Sequence, residues 1–563
     1  MIKIKKLILS AFYCSLPSHH FQAQSFTNPV LSGFYPDPSI CKAGDDYYLI
    51  NSTFAYYPGL PIFHSRDLLN WKQIGYALNR PEQLDLNGLS LTNTGMYAPT
   101  IRYNNGLFYV VCTNVGKGGN FVVTAKDPRG QWSNPVWIPE ADGIDPSLFF
   151  DTDGKVYLVY NSKPPGNISL YEGHCTIRLY EFDIKELKVK GEQKILVNGG
   201  TDISKKPIWI EGPHLFKKDG WYYLVAAEGG TEYNHSEVVF RSRQVDGPYV
   251  SYEKNPILTQ RNLNPERTNP VTSTGHADFV EDKNGNWWAV FLGCRPYEGD
   301  YYNTGRETFM APVEWKDSWP VINLGGDEVK YSYPIGAVPD KNAEKLNGNF
   351  FFRDDFENNI LNNRYAFLRT VREKWYSLSI KKGTLSVNLR PQTVQEKENP
   401  SFIGFRQSHL KGHAAIAMQF SAKTENEKAG LLVFANENHF YFLCKSVQEG
   451  KEVVQLYKGP GNKKAGAAPE LLASQAIKAN GNKNLLLKIE ANGNTYSFFY
   501  ALKKNKWKPL LFYADAKFLS TKEAGGFVGC MYAMYGTTAG KQSENTALFN
   551  WFETRSSDDA YKK

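Results

Sequence analysis

Five times along the chain, a short apolar run leads to a turn glycine and then to a second run rich in aromatic and aliphatic residues. Glu211-Gly212-Pro213-His214-Leu215-Phe216 leads to Gly220 and Trp221-Tyr222-Tyr223-Leu224-Val225. Asp37-Pro38-Ser39-Ile40 precedes Gly44 and Tyr47-Tyr48-Leu49-Ile50, and Pro99-Thr100-Ile101 precedes Gly106 and Phe108-Tyr109-Val110-Val111. Asp145-Pro146-Ser147-Leu148 precedes Gly154 and Val156-Tyr157-Leu158-Val159. His276-Ala277-Asp278-Phe279 precedes Gly285 and Trp287-Trp288-Ala289-Val290. Each copy reads as strand, tight turn, strand. The turn glycines follow one another at 62, 48, 66 and 65 residues, a period that fits the four-stranded blades of a β-propeller. In a propeller the first strand of each blade lines the central channel, so the strand heads meet at one mouth. Four of the five heads are Asp37, Asp145, Glu211 and His276. The repeat thereby collects three carboxylates and an imidazole in one pocket.

The chain of 563 residues is too long for one core, and two domains are expected. Aromatics at 14% with 47 Gly and 30 Pro favour an all-β protein with many turns. The five-bladed propeller is assigned to residues 26–338. A polar stretch, 339–349, reads as a linker. Residues 350–557 change in texture: alternating strands are expected at 414–418, 429–434, 440–444, 453–457, 485–489 and 495–500, separated by turns such as Asn492-Gly493. This is a second all-β domain, a β-sandwich. The linker is short enough for direct docking, which leaves the sandwich in reach to lend an aromatic to the pocket rim.

Lys3, Lys5 and Lys6 precede an apolar stretch at 7–16, and Ala23 and Ser25 offer small residues for cleavage. Residues 1–24 therefore resemble a secretory signal peptide, which implies a secreted or periplasmic protein. No later segment is long and apolar enough for a membrane span. The net charge of +8 is spread along the chain with no basic run interleaved with aromatics, so nucleic acid is not an expected partner. Seven cysteines include no CxxC pair, and most sit in strand patterns, where buried free thiols are expected. No metal-ligand spacing occurs, and no cofactor is expected.

A pocket of carboxylates and aromatics suits sugar chemistry. Glycosidic cleavage needs one protonated carboxyl to serve the leaving oxygen and one carboxylate to activate water or attack directly. The two must differ in pKa, and a third carboxylate near the acid would raise it by like-charge repulsion. A single Asp-Pro is an ordinary turn dipeptide. Three acidic strand heads in one repeat system are not.

Tyr35-Pro36-Asp37-Pro38-Ser39, Gly143-Ile144-Asp145-Pro146-Ser147 and Ile210-Glu211-Gly212-Pro213-His214 resemble the three acidic motifs of the family-43 glycoside hydrolases. That resemblance implies a five-bladed β-propeller that inverts anomeric configuration. It makes Asp37 the general base, Asp145 the group that modulates and orients the acid, and Glu211 the general acid. Thr274-Gly275-His276 looks like the family's histidine motif, and Thr304-Gly305-Arg306-Glu307-Thr308 like the motif whose arginine binds the sugar. Asn51-Ser52-Thr53-Phe54 is similar to the segment that gives the first subsite an aromatic wall. Gly95-Met96-Tyr97-Ala98-Pro99 corresponds to a motif that usually carries Trp where this chain has Tyr97. The substrate-binding set is thus Phe54, Tyr97, His276 and Arg306. The stretches 399–407 and 427–431 look like the concanavalin-like sandwich of β-xylosidases. Trp71 and Trp287 are expected to pack blades, and His214 to be structural. Arg295 is left between the pocket and a surface ion pair. The implied activity is removal of terminal xylose from xylo-oligosaccharides or xylan. The alternatives are an α-L-arabinofuranosidase acting on arabinoxylan and, from another class, a non-catalytic glycan-binding protein.

Overall fold

The computed structural model describes residues 24–323, 328–340, 343–478 and 483–562. The expected signal peptide, except its last residue, lies outside the described residues. Among those described, no helix is long and apolar enough to cross a membrane.

Five antiparallel meanders follow one another in chain order, each of four strands, the fourth with Leu258–Thr259 added as a fifth beside Ser236–Ser242. Their innermost strands are Ser39–Ala43, Gly95–Asn104, Ile144–Phe150, Glu211–Lys218 and Thr272–Glu281, and these pack against one another around a common axis. All five turn glycines have positive φ, between 63° and 86°. In blades 2 and 4 the preceding residue is left-handed too, Asn105 at 48° and Asp219 at 50°. Asn105-Gly106 and Asp219-Gly220 are therefore two-residue turns whose twist matches their strands. Blades 3 and 5 use five-residue connections, 151–155 and 282–286. The ends of the propeller are tied by Ser25–Thr27, which pairs with Ser332–Pro334.

The C-terminal part is a sandwich of two antiparallel sheets. One carries Thr546–Ser556 and Lys411–Gln419 near its middle. The other ends on a strand of the propeller: Tyr56–Tyr57 pairs with Tyr365–Leu368 as an edge strand. A single hydrophobic core runs from Phe34, Tyr56 and Leu86 into Phe402, Phe434 and Met531. The polar stretch between the domains is fastened down as well. Asn70 accepts from the Asp340 N–H at 2.7 Å, and Leu346 is buried with the blade 5 residues. The sandwich is thus docked by sheet extension and a shared core. All six cysteines among the described residues are free thiols, five of them buried.

Candidate active site

Each innermost strand carries a bulge at its head. Two residues there face one on the neighbouring strand: Ala98-Pro99 opposite Cys112, Asp145-Pro146 opposite Tyr160, Gly212-Pro213 opposite Ala226, and His276-Ala277 opposite Phe291. Asp37-Pro38 occupies the same place opposite Asn51, between the Pro36 carbonyl bonded to Ser52 N–H and the Ser39–Ile50 pair. The first residue of every bulge is left-handed: Asp37 51°, Ala98 33°, Asp145 56°, Gly212 57° and His276 55°. Such bulges re-aim side chains, and proline suits the second position because it has no N–H to leave unpaired. Blade 5 has Ala277 instead of proline, and its N–H donates to the buried Glu237 carboxyl at 2.9 Å.

This register corrects the reading of Glu211 as a strand head equivalent to the aspartates. The residue equivalent to Asp37, Asp145 and His276 is Gly212, and in blade 2 it is Ala98 rather than Pro99. Counting back from the turn glycine shifted both by one: blade 4, with a two-residue turn, was counted like the five-residue blades, and in blade 2 Gly106 closes its turn whereas Gly44 of blade 1 opens its own. Glu211 is therefore presented from the regular strand just before the bulge, paired with Ala227.

Asp37, Asp145 and His276 are buried, and Glu211 keeps part of its surface toward the cleft. Asp37 is held at both oxygens: Ser52 Oγ donates to Oδ2 at 2.6 Å, and the Arg306 guanidinium lies 3.0 Å from Oδ1. Ser52 in turn accepts from Ala98 N–H at 2.7 Å. Asp145 Oδ2 accepts from Gly212 N–H at 3.0 Å. Burial raises the Asp145 carboxyl, with His276 opposing and the Asp37 charge reinforcing. Glu211 is pushed well above the usual carboxylate range by burial first and then by the charges of Asp145 and Asp37, with Arg306 opposing. The site thus holds a carboxyl poised to be protonated beside a carboxylate paired with a guanidinium.

His276 lies flat against Gly212: a Cβ there would come within 2.8 Å of Nε2 and 2.9 Å of two ring carbons. Tyr97 packs edge-on to Phe54, with ring centroids 4.8 Å apart. The sandwich completes this wall with Phe527, stacked on Phe54 and edge-on to Tyr97, both at 6.0 Å. The Arg306 guanidinium sits 5.1 Å from the Phe527 ring. Phe54 is only 1% exposed, so it backs the wall while Tyr97 and Phe527 form its face. Phe527 was not found from the sequence, although an aromatic from this domain was expected.

The sequence matches two described families. Residues 26–320 match Glycosyl hydrolases family 43, and residues 353–555 match the Beta xylosidase C-terminal Concanavalin A-like domain. The chain belongs to glycosyl hydrolase family 43. This family-43 hydrolase is 41% identical over 533 residues to a xylosidase/arabinosidase of Butyrivibrio fibrisolvens, covering 93% of this chain and 98% of the relative. It is 38% identical to a non-reducing end α-L-arabinofuranosidase of Bacteroides ovatus, covering 95% and 96%. The crystal structure of a xylan β-1,4-xylosidase from Bacillus halodurans superposes with a TM-score of 0.85 at 30% identity, covering 94% of this chain and all of that one.

Below the pocket, the hydrolase closes its axis with one guanidinium. Arg102 of blade 2 pairs with both oxygens of Asp278 in blade 5, at 2.7 and 3.1 Å. It also reaches Ser39 of blade 1 at 3.2 Å, Ser147 of blade 3 at 3.3 Å and His214 Nδ1 of blade 4 at 3.1 Å. One side chain so contacts all five blades, and His214 is part of that structural network. Trp71 and Trp287 pack within the propeller as expected. Arg295 is neither in the pocket nor at the surface. It is a buried ion pair, bidentate on Glu307 at 2.6 and 2.9 Å and 2.7 Å from Asp558. This braces the Arg306 loop from behind, while Gly305 lies against Gly529 of the sandwich closely enough that a Cβ would meet its Cα at 2.7 Å.

Proposed function

We propose that this family-43 hydrolase is an inverting, exo-acting β-xylosidase that removes terminal xylose from xylo-oligosaccharides or xylan. Glu211 protonates the leaving oxygen, and Asp37 takes the proton of the attacking water. Asp145 holds Gly212 and, by its charge, keeps Glu211 protonated. Arg306, His276 and Tyr97 bind and enclose the sugar, with Phe54 backing the aromatic wall. The observation that carries this reading is the opposition of Glu211, raised by burial and neighbouring charge, to Asp37, fixed at both oxygens by Arg306 and Ser52. Phe527 walls the pocket, which supports attack at a chain end. The N-terminal basic and apolar pattern supports a secreted or periplasmic location.

The name of the Bacteroides ovatus relative favours a second reading, release of terminal α-L-arabinofuranose. Incubation with nitrophenyl β-D-xylopyranoside and nitrophenyl α-L-arabinofuranoside separates the two by which releases nitrophenol faster. No release from either would favour a glycan-binding protein. Inversion is tested by NMR of the first-formed sugar: α-xylose from a β-xyloside supports it, and β-xylose refutes it.

A further inference from the structure

Beside the bulge, the same row of every blade sends a side chain to the next blade. In blade 1 the row holds Ser52, whose N–H donates to the Pro36 carbonyl and whose Oγ accepts the Ala98 N–H of blade 2 at 2.7 Å. In blade 2 it holds Thr113, opposite Tyr97, with Asn120 beside it on the third strand. Thr113 Oγ1 donates to Asn120 Oδ1 at 2.5 Å, and Asn120 Nδ2 donates to the Ala141 and Gly143 carbonyls at 2.8 and 3.0 Å, in the segment entering Asp145 of blade 3. In blade 4 the row is Ala227 and Glu237, and Glu237 takes the Ala277 N–H of blade 5. In blade 5 it is Leu292 and Thr308, and Thr308 Oγ1 donates to the Tyr35 carbonyl of blade 1 at 2.7 Å. The row of blade 3 holds Asn161, opposite Ile144, and its Nδ2 donates to the Ile210 carbonyl of blade 4. Five links thus close a ring, each ending on backbone at a strand head, and all the linking side chains are buried.

The blade 3 link is singular in what it holds. The Ile210 carbonyl belongs to the peptide entering Glu211, and the Gly212 N–H, taken by Asp145 Oδ2 at 3.0 Å, belongs to the peptide leaving it. Peptide units are planar, so fixing the two on either side of a residue fixes its φ and ψ and the direction of its Cα–Cβ bond. Blade 3 therefore grips both peptides from which the Glu211 side chain springs. Asn161 is itself held close: it is 6% exposed, and a Cβ on Gly143 would fall 1.7 Å from its carbonyl oxygen, so only glycine lets the two strands approach there.

We propose that Asn161 is the positioning residue of the acid: with Asp145 it clamps the peptides flanking Glu211, so that blade 3 aims a carboxyl that blade 4 carries. The proposal rests on Glu211 being the acid. Without the amide, the Ile210 carbonyl loses its donor and its peptide is free to tilt toward another, which swings the carboxyl away from the glycosidic oxygen. Misplacement on the scale of one ångström is enough to slow proton delivery.

The test compares leaving groups. Asn161→Ala and Asn161→Leu, the second close to asparagine in shape, are assayed as full chains on xylobiose and on dinitrophenyl β-D-xyloside, beside the wild type and Glu211→Ala. A misaimed acid slows only the departure of a group that needs its proton. In both Asn161 variants kcat on xylobiose is expected to fall about tenfold to a hundredfold, while kcat on the aryl xyloside changes by less than about twofold. Equal losses on the two substrates, the mark of a merely structural role, or no loss on xylobiose, overturn the proposal. The comparison is a ratio within one preparation, so an unfolded fraction cancels. If Glu211→Ala separates the substrates and the Asn161 variants do not, the proposal alone falls; if Glu211→Ala also fails to separate them, the acid assignment falls and takes the proposal with it. A wild type that acts on arabinofuranosides is read by the same ratio, with dinitrophenyl α-L-arabinofuranoside against an arabinofuranosyl xylobiose.

Discussion

The backbone N–H of Gly212 donates to the carboxylate of Asp145 across 3.0 Å, so the bulge beside the acid is pinned by the neighbouring blade. The same glycine gives its bare α-carbon to the face of His276. One residue thus sets the spacing between Asp145, Glu211 and His276.

Gly212→Ala should therefore damage catalysis more than stability. The new methyl would lie 2.8 Å from His276 Nε2, and φ 57° is unfavourable for alanine. We expect a stability loss of about 1–2 kcal/mol and a fall in kcat/KM of roughly a hundredfold, read by thermal melts and initial rates. Full activity would show that His276 can move without consequence.

Removing the axial guanidinium should weaken all five blades together. Arg102→Met leaves the buried Asp278 charge with hydrogen bonds from Ser39 and Ile40 but without its counter-ion, at a cost of about 3–5 kcal/mol, and adding Asp278→Asn, which removes the charge and keeps an acceptor for those donors, should restore part of it. In the wild type Asp278 is depressed from an ordinary 3.8 to about 2, with burial opposed by Arg102 and His214. A depressed carboxylate stabilises above about pH 4, and that contribution is lost as pH falls toward 2. His214 is depressed by burial from 6.5 to about 3, so the unfolded chain takes up its proton first, and stability also declines as pH falls from about 6.5. Denaturant melts at pH 7, 5 and 3 should show both steps.

Glu237 is a test of the bulge rule. Its carboxyl replaces the proline found in four blades by accepting the Ala277 N–H. Glu237→Leu should cost about 1–3 kcal/mol, because it leaves that N–H unpaired, while Glu237→Gln should cost less. Equal losses in the two melts would show that the bond is unimportant.

Much of this was legible before the structure. Turn glycines and alternating apolar runs define the hairpins, and hairpins at a regular period define blades. The register of Glu211 was not legible, because turn length varies between blades and only pairing reveals it. Arg102 looked like any charged residue on a strand, since its partners lie on four other blades. Phe527 follows two glycines in a loop of another domain, where no local periodicity marks it. Asp558 is 263 residues from Arg295, and their pairing depends on how the domains dock.

Docking itself predicts a dependence. A propeller ending near residue 340 would expose the edge of Tyr56–Tyr57 and the apolar surface of the shared core, and would lose Phe527. It should be aggregation-prone and inactive. In the full chain, Phe527→Ala should lower kcat/KM about tenfold with little change in melting, because only the wall over Phe54 and Tyr97 is lost. A stable, fully active truncated propeller would make the sandwich an appendage.

The assignment of Glu211 as the acid is tested most directly by the leaving-group dependence of Glu211→Ala. A good leaving group departs without a proton, whereas a sugar does not. The account predicts that the variant keeps substantial kcat on dinitrophenyl β-D-xyloside while its kcat on xylobiose falls by about three orders of magnitude or more. Equal losses on the two substrates would contradict it.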